Sequence, residues 1–252
     1  MKKVIIALIA SLFFYSCDSN LSDSNTPNSV LSGSYANMLT WNNFLYFISD
    51  AELIAYSLKD PAKPMEIFKE DLGFGIESMF LRGDILFIGS ATTLHIYRIG
   101  QDGIPSQMST TAYNNFMDMC SRDPVVANDS IAYVTLSSAE TNNCFRPVEN
   151  VLRLYDINDL SDPILINDLL MERPKGLGLD GDLLFVCEAN DGLKVIDVSK
   201  PLDIKLIHHF DGYRAFDVIP RSGHLLVVGP DSLYQYNYTD RDNMYLLSAM
   251  DL

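Results

Sequence analysis

Six charged side chains recur near the same position of a repeated sequence unit, shortly before a tight turn. Carboxylates can act as general acids or bases, and guanidinium groups bind anions through paired hydrogen bonds. If the repeats place these side chains at one level of the fold, they form a ring of mixed charge. The acidic members are Glu77, Asp123 and Asp217, and the basic members, slightly earlier in their units, are Arg122, Arg173 and Arg214.

This ring has two interpretations. It could hold a small anionic or polar ligand, or a segment of a partner protein. In an enzyme, Arg173 and Arg214 would bind an anionic group, and Glu77, Asp123 or Asp217 would act as acid or base. In the second interpretation the acids and the arginines pair with one another and close a channel. The sequence favours pairing, because nothing in it indicates a pocket or a perturbed pKa.

The elements that would position these residues belong to a unit of about forty residues that is repeated along the chain. Its clearest copy, GDLLFVCEANDGLKVIDV, starts at Gly181. Each copy has an apolar strand after a polar turn, another strand after a second turn, and a weaker strand after an Asp/Ser/Pro turn. Five units follow from turn markers that are 40, 46, 52 and 42 residues apart, namely Asn43, Gly83, Asp129, Gly181 and Gly223.

The strands after these turns are apolar on both faces, which predicts sheets that are covered on both sides. They are FLYFI, ILFIG, IAYVTL, LLFVC and LLVVG, and the strands that follow them alternate more, as expected nearer an edge. Four short strands per unit, repeated radially, predict an all-β fold, a β-propeller of about five four-stranded blades. The first strand of a blade lines the central channel, so the six charged side chains would gather near one mouth of it. Tyr97, Tyr133 and Tyr155 are predicted to pack in the core.

Three segments carry a family resemblance. LKVIDVSKP from Leu193, LRLYDINDLSDP from Leu152 and LIAYSLKDPAKP from Leu53 resemble LVIVD repeats, a propeller-type repeat of bacterial envelope lipoproteins. The resemblance covers about residues 34–252, which we assign to one propeller domain. It implies no particular activity and supplies no catalytic residues. The fifth unit departs from the pattern, with TDRDN in place of the proline turn, as terminal repeats often do.

The first 33 residues predict export and anchoring. In residues 1–16, Lys2 and Lys3 precede an apolar run that is too short to span a bilayer as a mature helix, which indicates a signal peptide. The run stops at Ser16-Cys17, which resembles the lipobox of bacterial lipoproteins, whose cysteine is acylated. Residues 17–33 are rich in Ser, Asn and Asp and predict a flexible tether. The alternative is an ordinary signal peptide with a chance cysteine.

The net charge and the cysteines indicate which partners and which cellular compartment suit this chain. The net charge of −15 becomes −17 when the signal is removed with its two lysines, and such a surface repels nucleic acid. In an oxidising envelope, Cys120 and Cys144 are predicted to form a disulfide, worth roughly 3 kcal/mol on the chain-entropy estimate. The inserted segment 137–150 could serve recognition or seal the end of the barrel. Cys187, inside LLFVC, is predicted to be an inert core thiol.

Two motifs fail their tests, and the sequence indicates no cofactor and no metal. Gly176, Gly178 and Gly181 spell G-x-G-x-x-G, but a strand follows them rather than the helix that binds a pyrophosphate. The segment from Asp156 to Asp162 starts like a calcium loop, yet it lacks the glycine and the glutamate that such a loop requires. Capping of a turn is the predicted role of its acidic and amide side chains.

These observations predict a lipid-anchored protein of the bacterial cell envelope, in the outer membrane on its periplasmic or surface face. Its predicted role is that of a non-catalytic binding or scaffolding module. The expected partners are the membrane, through the N-terminal lipid, and either another envelope protein or a small polar ligand. The alternatives are a structural envelope component and an envelope enzyme, a lyase or hydrolase acting on a sugar or peptide at the charged mouth.

Overall fold

The computed structural model describes residues 36–49, 51–113, 121–122, 124–138 and 150–252, which form five antiparallel sheets. Strands that are consecutive in sequence are neighbours in the sheet, because tight turns fold the chain back on itself. The first blade contains β1 (Met38–Trp41), β2 (Phe44–Ser49), β3 (Glu52–Ser57) and β4 (Met65–Asp71). The second blade contains β5 (Ile76–Arg82), β6 (Ile85–Ser90), β7 (Thr93–Ile99) and β8 (Pro105–Ala112).

The remaining strands complete a five-bladed β-propeller, which confirms the predicted fold class. The third blade contains β9 (Ser121–Arg122), β10 (Val125–Ala127), β11 (Ile131–Ser138), β12 (Val151–Asp156) and β13 (Ile164–Leu170). The fourth blade contains β14 (Pro174–Asp180), β15 (Leu183–Glu188), β16 (Gly192–Asp197) and β17 (Lys205–Phe210). The fifth blade contains β18 (Asp217–Arg221), β19 (His224–Val228), β20 (Ser232–Asn237) and β21 (Tyr245–Asp251). Among the described residues no helix is long and apolar enough to cross a bilayer.

The first strand of the third blade is interrupted at Pro124. Both pieces, β9 and β10, pair with β11, and the carbonyl of Pro124 still accepts a hydrogen bond from the Thr135 amide at 3.2 Å. Proline has no amide hydrogen to donate, so a continuous ladder cannot form through this position. The break lies beside two predicted site residues, Arg122 and Asp123.

The turns that lead from the first to the second strand adopt the predicted positive φ in four blades. The residues and angles are Asn42 (52°), Gly83 (61°), Gly181 (56°) and Ser222 (47°). In the third blade the corresponding turn is closed by different contacts. There Asn128 Oδ1 accepts hydrogen bonds from the Ser130 and Ile131 amides at 2.9 and 2.7 Å, so a side chain rather than a left-handed residue closes the turn.

A β-bulge recurs between the third and fourth strand of every blade, which is strong support for a true structural repeat. A bulge increases local twist, and twist lets neighbouring blades pack around one axis. The residue after the bulge is aromatic in four blades, namely Tyr56, Tyr97, Tyr155 and Tyr236, and it is Ile196 in the fourth blade. Tyr97, Tyr133 and Tyr155 are at most 3% exposed, which confirms their predicted place in the core.

The described residues form four apolar core clusters, and each joins two successive blades: first to second, second to third, third to fourth, and fourth to fifth. The second strands of the three middle blades are therefore buried on both faces, as predicted. In β2 and β19 the prediction is wrong, because buried and half-exposed residues alternate along both strands. These strands belong to the first and last blades, and no cluster among the described residues covers their other faces. The third strands of the middle blades are also buried more evenly than predicted, as in β12.

Polar contacts link the outer turn of a blade to the blade before it. Asn167 Nδ2 donates to the carbonyl of Pro201 at 2.8 Å, from the third blade to the fourth. In the fifth blade the turn TDRDN takes this role, since Arg241 Nη2 donates to Asp197 Oδ2 of the fourth blade at 2.6 Å. The departure of the last repeat from the proline pattern thus supplies an ion pair between blades.

Candidate functional site

The first strands of all five blades line one cavity, so the blades are arranged around a common hub. We call the end where the first strands lead into their turns the hairpin end; their last residues are Trp41, Arg82, Ala127, Asp180 and Arg221. The other end, where these strands begin, is the polar end, named for its charged residues Arg173, Glu188, Lys194, Arg214 and Asp217. All six residues of the predicted charged ring belong to the polar end by their position in sequence.

A buried carboxylate organises the polar end. Glu188, the last residue of β15, is 0% exposed. Its oxygens accept hydrogen bonds from the Arg173 amide at 2.6 Å, the Glu172 amide at 3.3 Å and Lys194 Nζ at 2.9 Å. A buried charge requires such partners, because desolvation otherwise costs several kcal/mol. The carboxylate of Glu188 is therefore engaged in holding the start of β14 against β15 and β16.

Lys194 connects buried Glu188 to charged groups nearer the surface. Its ammonium lies 3.2 Å from Asp191 Oδ2, and His209 Nε2 lies at the same distance from that oxygen. Burial lowers the pKa of Lys194, but hydrogen bonds and charges from Glu188 and Asp191 outweigh burial and raise it above its ordinary value. The lysine therefore stays protonated, which makes it an ion-pair partner rather than a base.

Three residues of the predicted ring come together at the junction of the fourth and fifth blades. The carbonyl of Arg173 accepts a hydrogen bond from the Ala189 amide at 2.9 Å, and Arg214 Nε donates to the Ala189 carbonyl at 3.2 Å. The Arg214 guanidinium also lies over the ring of Phe216, 5.2 Å from its centroid. Asp217 Oδ1 accepts a hydrogen bond from the Val218 amide at 2.9 Å. Packing and backbone contacts thus fix this part of the ring.

One other predicted ring residue, Glu77, lies outside this junction. Glu77 is half-buried in β5, in the second blade. Arg122 lies in β9, but its side chain is not among those described. Cys17, Cys120, Asp123 and Cys144 lie outside the described residues, so the lipidation site, the disulfide and the third-blade part of the ring stay predictions. Cys187 is fully buried, and burial raises the pKa of its thiol, which agrees with a core role.

A cavity of about 920 Å³ opens at the hairpin end. Residues of every first strand line it, together with residues of the second and third blades around β6 and the turn after β12. Its apolar walls include Trp41, Phe80, Leu177, Ile219 and Pro220. Sequence reasoning placed the candidate site at the opposite end of the hub. A sequence signal for the cavity did exist. The last residues of three first strands, Trp41, Arg82 and Asp180, occupy equivalent positions in the repeat, so they are expected at one level of the hub.

The rim of this cavity is charged. Arg82 Nε donates to Asp129 Oδ1 at 2.9 Å and so ties the second blade to the third. This hydrogen bond and the charge of Arg82 hold the pKa of Asp129 below its usual range. Asp180 Oδ2 accepts a hydrogen bond from the hydroxyl of Tyr238, in the fifth blade, at 2.7 Å. Both contacts join neighbouring blades at the mouth and leave carboxylates exposed to solvent.

The two rejected motifs have structural roles. Gly181 is the hairpin turn between β14 and β15, and a Cβ on Gly178 would meet Pro220 of β18 at 2.6 Å, so the glycines allow the first strands of neighbouring blades to approach closely. Asp156 Oδ1 accepts a hydrogen bond from the Asn158 amide at 2.9 Å, which confirms that it caps a turn. Among the described residues, no three His, Cys, Asp or Glu side chains cluster as metal ligands would.

Comparisons with known proteins agree on the fold. No family model and no curated protein matches this chain. It is similar to the CNH domain of AfRom2, with a TM-score of 0.50 and 12% identity over 89% of this chain and 77% of that one. It is also similar to BamB from Moraxella catarrhalis, with a TM-score of 0.56 and 8% identity over 82% of this chain. The match spans 59% of the length of BamB. At these identities the likeness supports the β-propeller fold alone.

Proposed function

We propose that this chain is a lipid-anchored β-propeller of the bacterial cell envelope, of the LVIVD-repeat type, and that it works as a non-catalytic binding module. Its binding site is the cavity at the hairpin end of the hub. The partner is another protein of the envelope. Residues 17–33 tether the propeller to a lipid, such as palmitate, on Cys17, and the anchor holds it at the outer membrane.

The observation that carries the proposal is the cavity of about 920 Å³ to which all five blades contribute. Ligand sites are concave, mostly apolar and edged by a few polar groups, and this cavity has all three properties. A site built from hydrogen-bonded β-strands also needs little ordering when a partner binds, which preserves affinity.

The contacts at the polar end argue against catalysis there, because the charged groups are already engaged by the protein itself. Glu188 is engaged by two backbone amides and by Lys194, and Arg214 by the Ala189 carbonyl and the Phe216 ring. A general acid or base must instead be free to exchange a proton with a substrate. The contacts of Glu188 and Lys194 hold the first three strands of the fourth blade together, and Arg214 links the fifth blade to the fourth.

Photo-crosslinking in bacterial cells tests the binding site. Trp41, a half-buried residue of the cavity wall, is replaced by p-benzoylphenylalanine, which substitutes one aromatic side chain for another. The matched control carries the same amino acid at Leu206, which is 55% exposed on the outer strand β17. We expect irradiation to yield a discrete adduct with one protein from position 41 and none from position 206. Equal labelling from both positions, or none from position 41, would contradict the proposal.

Cys17→Ser tests the anchor in the same cells. A serine cannot form the thioether that carries the lipid, so the variant should lose incorporation of an alkyne-labelled palmitate and leave the washed membrane fraction. Retention of the label and of membrane association would show that another feature anchors the protein. The two tests are independent, because the cavity lies in the propeller and the anchor precedes it.

A further inference from the structure

The hairpin-end cavity combines an acidic rim with apolar and aromatic walls. From this combination we propose that it binds a peptide segment of the partner that presents a basic side chain next to an apolar one. The inference rests on the proposed binding function and adds the chemistry of the ligand.

The rim carries more negative than positive charge. Among the described residues, its lining contains three carboxylates, Asp84, Asp129 and Asp180, and one guanidinium, that of Arg82. Arg82 is committed to Asp129 at 2.9 Å, so it offsets that carboxylate alone. The charge of Asp84 is partly offset by Arg98, which lies outside the lining at 3.8 Å.

Asp180 is the carboxylate best placed to receive a cation. Among the described residues, its side chain accepts a hydrogen bond from the uncharged hydroxyl of Tyr238 and forms no ion pair. Asp180 is exposed, so its charge carries little desolvation penalty in the folded protein. The charge is also accessible to a ligand that enters the cavity. A lysine or arginine side chain at the mouth would form the ion pair that the fold itself does not supply.

The apolar walls of the cavity suit an uncharged side chain. Leu177 and Ile219 present aliphatic surface, and the aromatic residues Trp41 and Phe80 belong to the same lining. Removing apolar surface from water stabilises a complex. An aromatic face also attracts a cation that lies within about 6 Å of the ring centroid, so a basic side chain that approaches Trp41 or Phe80 is still favoured.

The size of the cavity indicates a chain segment rather than an ion. Its volume of about 920 Å³ lies near the top of the range of roughly 300–1,000 Å³ that is typical of ligand pockets. Two or three side chains fit into such a space, whereas one cation leaves most of the apolar wall exposed to water. The exposed positions of Arg82, Asp129 and Asp180 place the mouth at the protein surface, where a partner can reach it.

The general acidity of the protein is a competing explanation, because a net charge of −15 favours cations at every face. A matched pair of variants separates a local effect from this background. Asp180→Lys reverses a charge on the rim, and Asp203→Lys makes the same change of net charge on an exposed outer turn of the same blade. Asp84→Lys provides a second rim variant that leaves the Tyr238 contact intact.

The test measures peptide binding to the purified mature chain by isothermal titration calorimetry. The probes are acetyl-Lys-Leu-Phe-Lys-amide, its glutamate counterpart acetyl-Glu-Leu-Phe-Glu-amide, and acetyl-Lys-Gly-Gly-Lys-amide, which keeps the charge and removes the apolar side chains. We expect the first peptide to bind roughly tenfold more tightly than either of the others, since each exposed ion pair and each buried side chain contributes a few-fold. Circular dichroism confirms that each variant is folded.

The variants decide between a local and a general charge effect. Asp180→Lys and Asp84→Lys should each reduce the preference for the basic over the acidic peptide by roughly fivefold or more. Asp203→Lys should leave the preference within about twofold. Equal binding of the basic and acidic peptides, an unchanged preference in both rim variants, or equal binding of the glycine peptide overturns the inference. If no peptide binds while position 41 still forms its adduct in cells, the ligand chemistry is wrong and the proposed function stands.

Discussion

The two ends of the hub differ in how their charges are balanced. At the polar end, the carboxylate of Glu188 is inaccessible to water and is satisfied by groups of the protein itself. At the hairpin end, the carboxylate of Asp180 is exposed beside a cavity and contacts a neutral hydroxyl. The same repeat builds both ends, so the difference lies in burial. A buried charge must be matched within the fold and becomes structural, whereas an exposed charge is available to a partner.

The largest expected effect on stability comes from removing the buried carboxylate of Glu188 at the polar end. Glu188→Ala should lower the free energy of unfolding by about 3–5 kcal/mol, because it leaves Lys194 and the Arg173 amide without their buried partner. Urea unfolding followed by circular dichroism measures the change. The matched variant at the hairpin end is Asp129→Ala, which removes an exposed ion pair and should cost less than about 1 kcal/mol. Similar losses in the two variants would show that burial does not distinguish the ends.

A smaller effect depends on pH. His95 lies near the polar end of β7 and is 6% exposed, and burial lowers its pKa from 6.5 to about 4. Between these pH values the unfolded chain binds a proton at His95 that the folded chain does not bind. The stability that neutral His95 contributes is therefore fully present above pH 6.5 and is lost as the pH falls towards 4. The total loss from this group is about 3 kcal/mol.

His95→Gln isolates this contribution, because glutamine stays neutral throughout. The variant should lose less stability than the parent chain between pH 6.5 and pH 4, as measured by urea unfolding at several pH values. Carboxylates titrate in the lower part of that window in both proteins, so the comparison cancels them. Parallel pH profiles would mean that His95 takes up its proton in the folded protein as readily as in the unfolded chain.

The fold could be predicted from the sequence because its determinants are local and repeated. Turn residues such as Gly83 and Gly181 and the apolar strands after them recur with the same order, and each blade follows from its own segment. The half-exposed faces of β2 and β19 could not be predicted, since FLYFI and LLVVG resemble the middle strands in composition. Their exposure depends on whether another blade packs over them, which is a property of the ring and not of the segment.

The cavity at the hairpin end was not predicted, for a related reason. Aligning the repeats placed Arg173, Arg214 and Asp217 at one end, because position in the repeat determines level along the hub, and their role as a binding site stays a prediction. Glu188 was missed, since its burial depends on Lys194 and on backbone amides from the preceding strand. The cavity was missed because its volume depends on how the side chains of five separate strands fill the hub at one level, and no single segment contains that information.

The most direct test of the account compares crosslinking from the two ends of the hub in the same cells. p-Benzoylphenylalanine is placed at Trp41 on the cavity wall or at Arg214, an exposed residue of the polar end. The account predicts a discrete protein adduct from position 41 and little or none from position 214. An adduct from position 214 alone would contradict it, because recognition would then occur at the end whose described charges are already satisfied.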